Sequence, residues 1–191
     1  MKPTLPPGYF DALYAEKSDP WNFETKPYEH EKYAATLGHL PRERYGSALE
    51  LGCSIGVLSR MLAERCDKLL SLDVAESALE TARARCHDLT NVRFERRTLP
   101  DEFPAGQFDL ILMSEVGYYF AWPDLRRLGE KCVAGLRAGG DLVAVHYLPA
   151  VPDYPLTGDE VHAALFEVGL EHLGGFRSER YRFDAWRRQG E

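Results

Sequence analysis

The stretch Glu50-Leu51-Gly52-Cys53-Ser54-Ile55-Gly56, with an acid 21 residues after its first glycine at Asp73, constrains this chain most. Ala48–Gly52 is apolar and short enough for a buried strand. Two glycines then punctuate a turn, a helical pattern starts at Val57, and Lys68–Asp73 forms a second strand ending in a carboxylate. Strand, glycine turn, helix, strand and terminal acid are the parts of an open α/β sheet that binds a nucleoside at the carboxyl ends of its strands. Glycine at such a turn reaches positive φ and leaves room for a ligand. Asp73 stands at the offset expected of an acid that hydrogen-bonds ribose hydroxyls, with a helix-capping role as the alternative. Ser54 occupies the place where a dinucleotide fingerprint needs its second glycine, so no cradle for a pyrophosphate is evident.

The rest of the chain continues the alternation. A short amphipathic helix is expected from Tyr9 to Ala15, a turn at Ser18-Asp19-Pro20-Trp21, and a helix from Tyr28 to Leu40 stopped by Pro41. Helices are then expected over Val57–Cys66, Glu76–Cys86 and Asp124–Leu136, the last ended by Gly139-Gly140. Strands are expected over Asn91–Arg96, Phe108–Ser114 and Asp141–His146. Strands separated by helices of this length imply parallel, right-handed βαβ units. After a helix over Gly158–Val168, two strand candidates, Glu171–Phe176 and Arg180–Trp186, are joined by three residues. That linker cannot carry a crossover, so the pair is antiparallel. The expected fold is a single α/β domain over residues 1–191: a helical extension (1–47), then a seven-stranded, mostly parallel sheet with a C-terminal antiparallel hairpin (48–191).

Charge narrows the partners. Lys and Arg total 23 against 30 acids, a net charge of −7, and no basic run tracks a phosphate backbone. Nucleic acid is therefore disfavoured, and a neutral or cationic small molecule suits the acidic balance. The cysteines Cys53, Cys66, Cys86 and Cys132 show no C-x-x-C pair and no zinc spacing, which reads as reduced structural thiols and no metal site. No apolar run approaches the roughly 18 residues of a membrane span, and the first residues lack a signal-peptide core. The expectation is a cytoplasmic protein with no membrane partner, monomeric or dimeric.

Chemistry-bearing residues gather at strand ends. Phe108–Ser114 runs into Glu115-Val116-Gly117-Tyr118-Tyr119-Phe120, a carboxylate followed by three aromatics at the mouth of the expected cleft. Glu115 can hold an ammonium or accept a proton, and the aromatics can face a sugar ring or a cation; the alternative is a solvated acid beside core-covering rings. His146 ends its strand either as a proton acceptor that titrates near neutrality or as a structural histidine. Asp159 and His162 stand one helical turn apart without a third metal ligand. The base-methylating N/D-P-P-Y/F sequence is absent after the fourth strand.

The glycine turn resembles motif I of S-adenosylmethionine (SAM) dependent methyltransferases, E/D-x-G-x-G-x-G, with Ser54 in place of the middle glycine. More narrowly, Glu50–Leu58, Asp19-Pro20-Trp21 followed by Tyr28-Glu29-X-X-Lys32-Tyr33, Ser114-Glu115-Val116-X-Tyr118-Tyr119 and Asp153-Tyr154-Pro155-Leu156-Thr157-Gly158 resemble the nodulation protein S (NodS) methyltransferases. The resemblance implies a Rossmann-like class I methyltransferase fold whose N-terminal helices close over the cofactor as a lid. It implies SAM as cofactor, S-adenosylhomocysteine (SAH) as product, and methylation of a free amine on an amino sugar or deacetylated chitooligosaccharide. Carried onto this sequence, the cofactor contacts are Trp21, Tyr28, Tyr33, Glu50, Gly52, Cys53, Ser54, Gly56, Asp73, Val74, Thr98, Leu99, Ser114 and Glu115. Glu115, Tyr118 and His146 are the candidate catalytic residues. Rival readings are an O-methyltransferase, which needs a true base, a SAM-binding protein without turnover, and an oxidoreductase, against which Ser54 and the terminal hairpin count.

Overall fold

The structure, a computed structural model, describes residues 2–190. Its elements in chain order are α1 (Pro7–Glu16), α2 (Pro27–Gly38), β1 (Tyr45–Leu51), α3 (Val57–Ala63), β2 (Cys66–Asp73), α4 (Glu76–Arg85) and β3 (Val92–Arg96). There follow β4 (Phe108–Ser114), a 3-10 turn (Gly117–Tyr119), α5 (Trp122–Gly135), β5 (Leu136–Tyr147), α6 (Gly158–Phe166), β6 (Glu171–Arg177) and β7 (Tyr181–Arg187). The strands form a seven-stranded sheet in the order β3-β2-β1-β4-β5-β7-β6. Two compact units divide the chain, residues 6–98 and residues 99–190 with 2–5.

In the first unit β1, β2 and β3 are parallel, with Leu51 opposite Leu72 and Asp73 opposite Arg96. Leu49 and Leu51 of β1, Leu69 and Leu72 of β2, Leu62 of α3 and Leu79 of α4 are fully buried, so β1 and β2 bury apolar side chains together with their covering helices. Proline opens both α1 and α2, where its missing N–H is no loss and its fixed φ suits the first turn. Helices α1 and α2 belong to the same unit as β1–β3. The expected helix through Cys66 stops at Ala63 instead, and Cys66 opens β2 opposite Tyr45. Leu62, Ala63 and Cys66 follow helical spacing in the sequence, but the burial of Cys66 is met by the sheet.

In the second unit β4 and β5 are parallel, and β7 pairs antiparallel with β5 and with β6. The terminal hairpin thus has the expected pairing. Gly139-Gly140 does not end a helix. Helix α5 stops at Gly135, and the glycine pair lies inside β5, where Phe108 faces Leu136 while Leu110 faces Asp141. Gly139 takes φ +76° and bonds across to Arg188, so the pair forms a bulge that a side chain would obstruct. Helix α6 carries a full capping box: the Thr157 hydroxyl accepts from the Glu160 amide, and the Glu160 carboxylate accepts from the Thr157 amide at 2.7 Å. All four cysteines are free and buried. Among the described residues no helix is long and apolar enough to cross a membrane.

Candidate functional site

The site residues expected from the sequence fall into two clusters, one in each unit. The first is built on the turn after β1. Gly52, Ser54 and Gly56 take φ of +73°, +50° and +77°, so three of five consecutive residues are left-handed. Only Ser54 of these carries a side chain, and such a backbone is costly for it unless neighbours hold it. Two groups do. The Ser54 amide donates to Asp73 Oδ2 at 2.8 Å, and its hydroxyl pairs with the Tyr14 hydroxyl of α1 at 2.5 Å. At Gly56 a Cβ would lie 2.8 Å from that of Ala82, so glycine is required there by φ and by the packing of α4.

Asp73 ends β2 and receives a second backbone donor, the Ala75 amide, at 3.0 Å on Oδ1. It does not cap α4, whose N-cap is Ala75. Instead its carboxylate clamps the glycine turn to the strand end, half-buried, and each oxygen retains acceptor capacity for a further donor. Burial raises its pKa above the usual carboxylate value. Glu50 lies deeper, 2% exposed, and its Oε2 accepts from the Ser59 and Ser71 hydroxyls, both at 2.6 Å. Burial pushes the Glu50 pKa up to about 7 against the pull of those hydroxyls. Cys53 is buried beside it, and burial raises its thiol pKa as well.

An aromatic line runs from the turn through the N-terminal segment. Tyr14 meets Trp21 edge-on at 5.7 Å, Trp21 stacks on Phe23 at 5.5 Å, and Phe23 lies 6.4 Å from Tyr33. Behind it Lys32, 2% exposed, pairs with Glu29 at 2.8 Å and sits over the rings of Tyr28 and Tyr33 at 5.3 and 5.7 Å. The D-P-W segment is ordered by Asp19, whose carboxylate accepts from the amides of Phe23 and Glu24. Val74 is half-buried, with its carbonyl taken by Arg96, and Thr98 and Leu99 are half-buried in the loop after β3.

The second cluster lies at the end of β4. Ser114 is buried, and Glu115 turns left-handed at φ +57° with its amide tied to Val145. Glu115 Oε2 accepts from the Tyr118 hydroxyl and from the Tyr147 amide at 3.0 Å. Burial, reinforced by the Glu115 charge, holds the Tyr118 phenol far above its ordinary pKa, so Tyr118 stays a proton donor. Tyr118 stacks on Tyr154 at 5.0 Å, and Tyr119 meets both rings edge-on. His146 is fully buried, and its Nε2 accepts from the Gly117 amide at 3.0 Å. Of the two sequence alternatives for His146, this geometry favours the structural one. Sequence reasoning passed over Tyr14, Ser59 and Ser71, which no local spacing links to the turn.

A family model described as nodulation protein S (NodS) matches residues 12–144. The chain belongs to the NodS family. Nodulation protein S of Bradyrhizobium diazoefficiens is 35% identical over 102 residues, 53% of this chain and 49% of that protein. That of Rhizobium tropici is 29% identical over 127 residues, 65% of this chain and 53% of that one. The matches thus span about half the length of these curated NodS relatives. Among solved structures, the N-methyltransferase NodS of Bradyrhizobium japonicum WM9, in complex with SAH, is similar at TM-score 0.85 and 25% identity, covering 94% of this chain and 97% of that one. A candidate methyltransferase from Pseudomonas syringae is similar at TM-score 0.76 and 40% identity, covering 85% and 100%.

Proposed function

We propose that this NodS-family chain is a SAM-dependent N-methyltransferase acting on a free amine of an amino sugar or deacetylated chitooligosaccharide. The observation that carries the reading is the clamped turn. Three of its five residues are left-handed, and the middle one, Ser54, is fixed through its amide by one carboxylate at the end of the next strand, on a chain whose NodS relative is solved with SAH. Bound SAM supplies an electrophilic methyl group on a sulfonium. The residues of the chain present and orient it: Asp73 offers acceptor capacity to the ribose hydroxyls, and Gly52, left-handed at the start of the turn, puts no Cβ in the way of the ligand. The Tyr14–Ser54 pair fastens α1 to that turn, in keeping with a role for the N-terminal helices as a lid over the cofactor.

Transfer to a neutral amine moves one positive charge from sulfur to nitrogen and creates none, so alignment and exclusion of water dominate. These are worth roughly 7–11 kcal/mol by the effective-molarity argument. Electron-withdrawing ring oxygens lower a sugar amine below the ~10.4 of lysine, so a neutral fraction exists near pH 7 without a strong base. Glu115, held by Tyr118 and the Tyr147 amide, is the group that orients the amine and receives its surplus proton. The test is methyl transfer from labelled SAM to a partly deacetylated chitotetraose and to its fully N-acetylated form. Incorporation into the first alone is expected. Equal incorporation into both would mean O-methylation, and no binding of SAM or SAH by calorimetry would end the proposal.

A further inference from the structure

His146 is one link in a buried chain of hydrogen bonds whose direction is fixed at one end. The Gly117 amide can only donate, so His146 Nε2 carries no proton. The ring proton sits on Nδ1 and donates to His162 Nε2 at 3.2 Å. His162 therefore bears its own proton on Nδ1, which donates to Asp184 Oδ2 at 2.7 Å. Asp184 closes the chain as a carboxylate, accepting also from Arg182 Nε at 2.6 Å and His172 Nε2 at 2.8 Å. Both inner imidazoles are 0% exposed. A second proton on His146 would set N–H against N–H at Gly117, so one arrangement of protons satisfies every link. Burial lowers the His162 pKa in agreement; at Asp184 burial acts upward, but the bonds from His162, His172 and Arg182 outweigh it and keep the group ionised.

Packing around the chain leaves no slack. A Cβ at Gly117 would lie 2.9 Å from His146 Nε2 and collide with Val161. At Gly158 it would strike the Tyr147 carbonyl, and at Gly175 the Asp184 carboxylate. Gly117 opens the 3-10 turn that carries Tyr118, whose hydroxyl binds the left-handed Glu115. The far end of the chain thus bears on the loop that presents Glu115.

We propose that His162 is a positioning residue that acts through His146 and the Gly117 amide to hold Glu115 and Tyr118 in place. The functional consequence rests on the role given to Glu115 above. The hydrogen-bond consequence does not.

Imidazole 15N NMR of the wild-type protein is expected to show His146 protonated on Nδ1 and bare at Nε2; the opposite tautomer overturns the proposal. Two variants separate relay from bulk. His162→Gln places an amide oxygen where Nε2 stood and keeps the acceptor for His146. His162→Asn keeps a donor for Asp184 and withdraws that acceptor. His162→Gln is expected to retain the tautomer and kcat within about threefold. His162→Asn is expected to lose the tautomer, exchange the amides of residues 115–120 about tenfold faster, and lower kcat about tenfold or more, at unchanged KM for SAM. Equal responses of the two variants overturn the relay. Should chitotetraose prove not to be methylated at all, the acceptor assignment falls, while the tautomer and exchange measurements still decide this proposal.

Discussion

Replacing Glu50 by Gln tests the electrostatics of the glycine turn in a single difference measurement. Glu50 is 2% exposed, bound to two serine hydroxyls, and raised by burial from 4.5 to about 7. Because the folded state holds the proton more tightly than the unfolded chain, this residue favours folding most below about pH 4.5. That contribution is lost as pH rises towards 7. At ~1.36 kcal/mol per tenfold change in proton affinity, the folded state disfavours the ionised carboxylate by about 3 kcal/mol above pH 7. Glutamine keeps an acceptor for the serines and cannot ionise. The stability of Glu50→Gln minus that of the wild type should therefore grow by about 2–3 kcal/mol between pH 5 and pH 8. Urea denaturation of both proteins without cofactor, at half-unit intervals, measures it, and titrating groups distant from Glu50 cancel in the difference. A gap constant to within about 0.5 kcal/mol across that range would refute the reasoning, since Glu50 would then titrate alike folded and unfolded.

Asp73→Asn turns one of the turn's two acceptor oxygens into a donor, and calorimetry should show SAM and SAH affinity reduced by about tenfold or more; unchanged affinity would remove Asp73 from the site. Gly56→Ala forces a Cβ against Ala82 at φ +77°, and should cost about 1–3 kcal/mol in urea unfolding. Tyr14→Phe leaves the Ser54 hydroxyl without its partner and should cost about 1 kcal/mol, with faster amide exchange confined to residues 7–16; exchange that rises everywhere alike would speak for global destabilisation instead.

Local signals carried much of the architecture. The apolar run Phe108–Ser114 became β4 with the expected bounds, because a strand buried on both faces needs no register information from elsewhere. The three-residue linker was enough to make β6 and β7 antiparallel. Cys66 and Gly139-Gly140 misled for one reason: helical spacing and glycine punctuation are local, whereas a strand start and a bulge are decided by the partner strand. The meeting of the glycine turn with Asp73 was legible because their spacing is a chain property. Tyr14, 40 residues before Ser54, and Asp184, 22 after His162, were not, because only tertiary folding joins them. His146 was open between two readings in sequence, since an imidazole at a strand end looks alike whether bare or bonded at both nitrogens.

The serine at the heart of the turn bears on transplantation. Its left-handed backbone is secured from outside, by a phenol on the first helix and an acid on the second strand. A loop of this sequence moved alone into another α/β scaffold would arrive without either fastening and should relax to a different shape, whereas the same loop with glycine at that position would travel more readily.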